Sequence, residues 1–133
     1  METKKYLGVD YGISKIGLAI ADAETRIAFA YKTIENGKNF LEDMGRIIES
    51  EGIDTLVLGS LGYAGEGRKA FEAEEIGEKI RKSQGIRVEY QEEMFSTKMA
   101  EKNLKERGMK NIKKNDNQEA ARIILQSWLD KEV

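Results

Sequence analysis

The sequence predicts one α/β domain built on a five-stranded mixed sheet flanked by helices, and three observations predict it. An apolar run ending in Asp10 turns through Tyr11-Gly12-Ile13-Ser14 and returns from Lys15 to Ala21, which reads as a β-hairpin. A second apolar run, Asp54 to Gly59, has few polar interruptions and suits a strand covered on both faces. Beyond it, helical and strand periodicities alternate, which implies parallel strands joined by right-handed crossovers. A length of 133 residues suits a single core, and no repeat, low-complexity tract or linker divides it, so residues 1–133 are read as one domain.

Each element follows from its pattern. Tyr6 to Asp10 is a buried strand, and Ile16 to Ala21 is its partner. Ile16, Leu18 and Ile20 share one face of that partner, with Gly17, Ala19 and Ala21 on the other. Asp22 to Thr25 is a polar turn, in which Asp22 has a local role. Ile27, Phe29 and Tyr31 alternate on a third strand, which completes an antiparallel meander. After Gly37 and Asn39, the apolar residues Phe40, Leu41, Met44, Ile47 and Ile48 recur at helical spacing and stop before Gly52. The fourth strand, Asp54 to Gly59, leads into a glycine-rich loop, Gly62 to Gly67. Arg68 to Ser83 is an amphipathic helix carrying Phe71, Ile76 and Ile80, closed by Gly85. Ile86, Val88 and Tyr90 alternate on the fifth strand. A helix is expected from Thr97 to Arg107, then a polar loop from Lys110 to Asn115. The last helix buries Ala121, Ile124, Leu125 and Trp128.

Composition narrows the chemistry. The chain has no Cys and no His, which excludes disulfides, zinc–thiolate sites, thiol nucleophiles, Ser–His triads and imidazole ligands. Catalysis is left to carboxylates, Lys, Arg, Tyr or Ser. The net charge of −2 is not that of a general nucleic-acid binder, so a basic footprint has to be local. No apolar run approaches the roughly 20 residues of a membrane helix, and the N-terminus enters a strand without a signal-like apolar stretch. A cytoplasmic protein with no membrane partner is expected.

The element order, with an Asp ending the first strand, resembles the ribonuclease H-like fold. The local motifs resemble one branch of it, the YqgF (RuvX) family, described as pre-16S rRNA nucleases and Holliday junction resolvases. The resemblance rests first on Asp10-Tyr11-Gly12, Lys15-Ile16-Gly17 and Asp22 around the hairpin. It continues in Leu56-Val57-Leu58-Gly59 with the loop after it, though the family's usual Pro there is missing. Glu92-Glu93-Met94 followed by Ser96-Thr97 stands where the family has an Asp-Glu-Arg triplet and a Ser/Thr pair. Ala120-Ala121-Arg122-Ile123-Ile124-Leu125-Gln126 matches the last helix. Nearly the whole chain is covered, in order.

The resemblance implies a nuclease using Mg²⁺ or Mn²⁺ held by clustered carboxylates, with water as the nucleophile. Hard oxygen ligands suit such ions, and a chain lacking His and Cys can supply them. Asp10 is the first candidate ligand, at the C-terminal end of its strand, where open sheets collect ligands; a turn-capping Asp is the bland reading. Glu93 is the second, matching the Glu of the triplet. Glu92 is adjacent, and only one of the pair can share a face with Asp10. Met94 replaces the triplet's Arg and removes a cation. The family's third acid falls on Asn117, which offers a carbonyl oxygen without charge. Asp116 reads either as the helix N-cap paired with Glu119 or as the substitute ligand.

Lys15 stands at the family's basic position and reads equally as a phosphate contact or a solvated hairpin lysine. The Gly62–Gly67 loop is no Walker A loop, since no Gly-Lys-Ser/Thr follows. From Lys98 to Lys114, a segment between Glu93 and Asn117, seven basic residues (Lys98, Lys102, Lys105, Arg107, Lys110, Lys113 and Lys114) stand against only two acids, Glu101 and Glu106. That stripe would hold a phosphate backbone beside the acidic site; a solvated helix and loop is the bland reading. The expected partners are structured RNA or branched DNA, and junction cleavage would call for a two-fold homodimer. The competing reading is a nucleic-acid-binding relative without nuclease activity, favoured by Asn117 and Met94. A nucleotide-binding module of the sugar-kinase type uses a similar Asp-x-Gly hairpin but normally needs two such domains.

Overall fold

The computed structural model describes residues 3–12, 14–60, 68–92 and 112–131, with the backbone alone at 60, 68–72 and 112–116. The hairpin forms as expected. Strand β1, Lys5–Tyr11, pairs antiparallel with β2, Lys15–Asp22, with Asp10 opposite Gly17. A Cβ on Gly12 would strike the Lys15 carbonyl, so the turn depends on a glycine. Asn36 secures it by donating from Nδ2 to the Gly12 carbonyl at 2.7 Å.

Strand β3, Phe29–Glu35, pairs antiparallel with β2 and forms one edge of the sheet. The third strand was expected to alternate from Ile27, and here the structure differs. Ile27 precedes the strand, and Ile27 and Phe29 are 52% and 59% exposed. The register shifts between Leu18 and Ala19, so the alternation read from sequence does not carry through. Ala28, Tyr31 and Ile34 supply the buried contacts instead.

Helix α1, Phe40–Glu51, buries Phe40, Met44, Ile47 and Ile48. It ends at Gly52, whose φ of 68° is a left-handed conformation that a side chain would strain. Strand β4, Ile53–Ser60, then pairs parallel with β1, and β5, Arg87–Glu92, pairs parallel with β4. Helix α2, Arg68–Gln84, connects them. The strand order is β3-β2-β1-β4-β5. The sheet is thus an antiparallel meander extended by two parallel strands.

Two cores lie on opposite faces. Leu7, Val9, Ile16, Leu18, Leu56 and Leu58 meet α1 and α2 on one face. Ala19, Ala21 and Val57 meet helix α3, Ile112–Lys131, on the other, through Ala121, Ile124, Leu125, Trp128 and Leu129. Leu56, Val57 and Leu58 are all fully buried, as a doubly covered strand requires.

Helix α3 also corrects the sequence reading. The polar loop expected from Lys110 to Asn115 is helical from Ile112 onward. Asp116 therefore lies inside the helix and is not its N-cap. Its expected capping partner, Glu119, is buried and accepts from Arg122 instead, at 2.9 Å from Nε and 2.6 Å from Nη2. The run Lys113-Lys114-Asn115 has no apolar periodicity, so pattern alone could not reveal the extra turn. The helix expected over 97–107 lies outside the described residues, as does the loop at 62–67.

Candidate active site

Side chains alternate across a strand, so the packing of neighbours fixes where Asp10 points. Two residues before it, a Cβ on Gly8 would lie 2.7 Å from the Leu125 Cβ and 2.9 Å from the Ala121 carbonyl oxygen, both on α3. Tyr6 meets Trp128 of α3 edge to face, with ring centroids 5.3 Å apart. Tyr6, Gly8 and Asp10 thus share the α3 face. Tyr11 faces the other way, against Phe40 of α1. Gly17, directly opposite Asp10, shares its face. A Cβ on Gly17 would overlap the Asn117 backbone, whose Cα lies 2.9 Å from that point. The last helix therefore crosses the sheet at Gly17, and the register places the Asn117 backbone over the residue paired with Asp10.

The same register builds a row across the sheet at this level. Thr33 pairs with Gly17, and Gly17 with Asp10. One step beyond the Val9–Leu58 pair, Asp10 is followed by Gly59, which pairs with Gln91 of β5. The row is Thr33, Gly17, Asp10, Gly59, Gln91, all on the α3 face. Asp10 is flanked on both sides by glycines, so neither strand residue paired with it brings a side chain.

The other candidates divide. Glu92 alternates with Gln91 and shares its face with Tyr90, which lies over Gly77 of α2. Glu92 is exposed and turned away from Asp10. Burial beside Glu74 and Glu78 raises the Tyr90 hydroxyl above its ordinary value, as expected for a packing residue on that back face. Lys15 shares the Asp10 face by parity, but its ammonium is 2.7 Å from Glu35 Oε1. The pair is well exposed, and such a bridge holds a lysine only weakly. Asp22 lies at the opposite end of the hairpin, beside Lys5. It accepts from the Thr25 backbone N–H at 2.7 Å and hydroxyl at 3.1 Å, and the backbone bond first of all holds its carboxyl below the ordinary range. It is a turn residue, as expected.

Glu93, Met94 and the basic residues Lys98, Lys102, Lys105, Arg107 and Lys110 lie outside the described residues. Lys113, Lys114 and Asp116 stand in the first turns of α3. Among the described residues, no three acidic side chains group to hold a metal. The oxygen donors of the row are the Asp10 carboxylate and the Gln91 amide oxygen, and Asn117 stands beside them with its backbone over Gly17. That set fits a hard cation such as Mg²⁺ or Mn²⁺ and not a soft one.

Gln91 escaped the sequence reading, and Gln126 stood there only as the last letter of a motif. Gln91 is 8% exposed, on the Asp10 face. A Gln two residues before Glu93 was the available signal. Gln126 donates from Nε2 to the Arg26 carbonyl at 3.1 Å and accepts from the Ala28 N–H at 2.8 Å. It ties α3 to the β2–β3 connection, which accounts structurally for the Gln closing the helix motif.

A mixed sheet of this order, with an acid ending its central strand and a helix crossing beside it, defines a ribonuclease H-like protein. A family model described as "RuvX: Holliday junction resolvase" matches residues 4–131, and the chain belongs to that family. A relative from Maridesulfovibrio salexigens named "Putative pre-16S rRNA nuclease" is 30% identical over 132 residues, covering 94% of this chain and 97% of its own. Among solved structures, T. thermophilus RuvC in complex with a Holliday junction substrate superposes with a TM-score of 0.64 at 13% identity, covering 96% of this chain and 95% of that one. Fowlpox virus resolvase with its junction DNA gives 0.63 at 15% identity, covering 97% and 99%. At such identities these two likenesses speak for the fold.

Proposed function

We propose that this chain is a divalent-metal-dependent nuclease that hydrolyses phosphodiesters in structured nucleic acid, on ribosomal precursor RNA or on four-way junctions. The observation that carries the reading is Asp10 at the C-terminal end of the central strand, flanked by glycines and met by the start of the last helix at Gly17. Family membership supports the reaction class. The names of the relatives and of the fold neighbours supply the two substrate classes. Such substrates go with a cytoplasmic location, and paired cuts at a junction go with a two-fold dimer. No helix among the described residues is long and apolar enough to cross a membrane.

Asp10 and Glu93 are assigned as the charged ligands of Mg²⁺ or Mn²⁺. Glu93 is preferred to Glu92 because Glu92 is turned away. Asn117 contributes a neutral oxygen on the same face, and Asp116 is the nearby acid of the same helix. When bound, divalent ions supply an activated water and offset charge on the leaving oxygen. The protein's part is to hold oxygen donors rigidly, on strands and a helix packed without intervening side chains.

Lys113 and Lys114 support a nucleic-acid substrate in a different way. The first turn of α3 carries no acidic residue, and these lysines stand at the positive end of its dipole. Cations there oppose helix stability, so phosphate binding is the better account of them. Asn117 favours the second reading, a nucleic-acid-binding relative lacking the charge for catalysis.

The test is cleavage of a 16S precursor RNA and a four-way DNA junction in Mg²⁺ or Mn²⁺, by wild type and Asn117→Asp. Metal-dependent cleavage by wild type supports the nuclease reading and ranks the substrates. Cleavage by Asn117→Asp alone gives the second reading. Silence from both, with binding intact, contradicts an active site.

A further inference from the structure

Gln91 carries a buried polar atom that the fold does not use. Its side-chain N–H donates to the Glu92 carbonyl over a long 3.4 Å, and its Oε1 has no hydrogen-bond partner among the described residues. The residue is 8% exposed. A strand position facing a helix is ordinarily filled by an apolar side chain, and an orphaned amide oxygen there costs stability.

Its place in the sheet is informative. Only one other orphaned side-chain atom occurs among the described residues, Thr33 Oγ1. Both lie in the row that contains Asp10, one on each side. Thr33 is separated from Asp10 by Gly17, where the Asn117 backbone fills the space. Gln91 is separated from Asp10 by Gly59 alone, which brings no side chain. Two strand spacings put Asp10 and Gln91 roughly 10 Å apart between Cα atoms. A hydrated cation held at Asp10 can span that separation through one of its waters. Mg²⁺ and its analogues keep several of their waters when bound to one or two carboxylates, and those waters need acceptors.

We infer that Gln91 is a positioning residue whose Oε1 accepts a hydrogen bond from a water of the divalent cation held at Asp10. The inference rests on the metal-dependent reading above and adds to it a residue with no charge and no family motif. Acceptors of this kind orient a bound cation's shell, and their loss typically weakens metal affinity about 10–100-fold. The orphaned oxygen is then a cost kept for binding.

The test is calorimetric titration with Mn²⁺, together with the thermal midpoint in EDTA, for wild type, Gln91→Leu and Gln91→Glu. Gln91→Leu removes the orphaned oxygen at similar volume. Its midpoint in EDTA should match or exceed wild type while its Mn²⁺ affinity falls about tenfold or more. Gln91→Glu keeps an acceptor oxygen and should bind Mn²⁺ at least as tightly as wild type, so the assignment stays testable should the leucine variant fold poorly. Equal Mn²⁺ affinity in wild type and Gln91→Leu overturns the inference and leaves the metal reading standing. So does weak binding by Gln91→Glu, since shape alone would then explain the site. A folded wild type that binds no Mn²⁺ overturns the metal reading itself, and this assignment with it.

Discussion

At Gly17 the sheet and the last helix meet with no side chain between them. A Cβ there would overlap the Asn117 carbonyl, so even alanine forces α3 outward or bends β2. Gly17→Ala is expected to cost about 1–3 kcal/mol in urea unfolding, with cleavage reduced beyond the fraction unfolded because Asn117 is displaced. Asp22 tests a different kind of residue. Its carboxyl is held below the ordinary range by the Thr25 backbone bond, so the ionised form stabilises the fold above the unfolded value. That contribution is lost as pH falls through the folded value. Asp22→Asn should therefore lower the thermal midpoint near neutral pH, and the difference from wild type should shrink on acidification, with activity unchanged at a temperature where both are folded. Residues such as Gly17 and Asp22 were visible in the sequence as motif letters. What the letters do became clear only from register and close approach. Gln91 stayed unread because a glutamine in a strand carries no signal until its face and its missing partner are known.

Among the elements, those with strong periodicity were legible and those without were not. The doubly buried β4 and the two glycine-ended helices, α1 and α2, follow from apolar spacing and from the left-handed geometry that follows each helix. The start of β3 was misread because a register shift breaks the two-residue alternation, leaving Ile27 and Phe29 outside the core. The start of α3 was misread because its first turns carry lysines and asparagines with no apolar face. Helix propensity alone is too weak to place such a boundary. That misreading made Asp116 a candidate cap, whereas the helix already runs from Ile112. The same turns yield a prediction. Lys113→Glu with Lys114→Glu should stabilise α3 by about 0.3–1 kcal/mol each, since acids suit the positive end of a helix. If these lysines contact phosphates, the double variant should bind junction or precursor RNA more weakly, and its logarithmic salt dependence should flatten by about 2. Thermal unfolding and binding titrations across salt concentrations separate the two effects.

For the whole molecule, the fold was legible because order and patterning agree: a hairpin-linked meander, then strands alternating with helices. The candidate site was legible only in part. Asp10 could be placed at a strand end by the apolar run before it. That it faces α3, and that Glu92 does not, depends on pairings between strands far apart in sequence, which no local window contains. We propose the α3 face at Asp10 as the hydrolytic centre. It is tested most directly by single-turnover cleavage of the better of the two substrates in Mg²⁺, comparing wild type with Asp10→Asn. That substitution keeps the shape of the side chain and removes its charge. Loss of at least about 100-fold in rate (some 3 kcal/mol of barrier), with circular dichroism and nucleic-acid binding preserved, is the predicted result. Wild-type cleavage that persists undiminished in folded Asp10→Asn would contradict it.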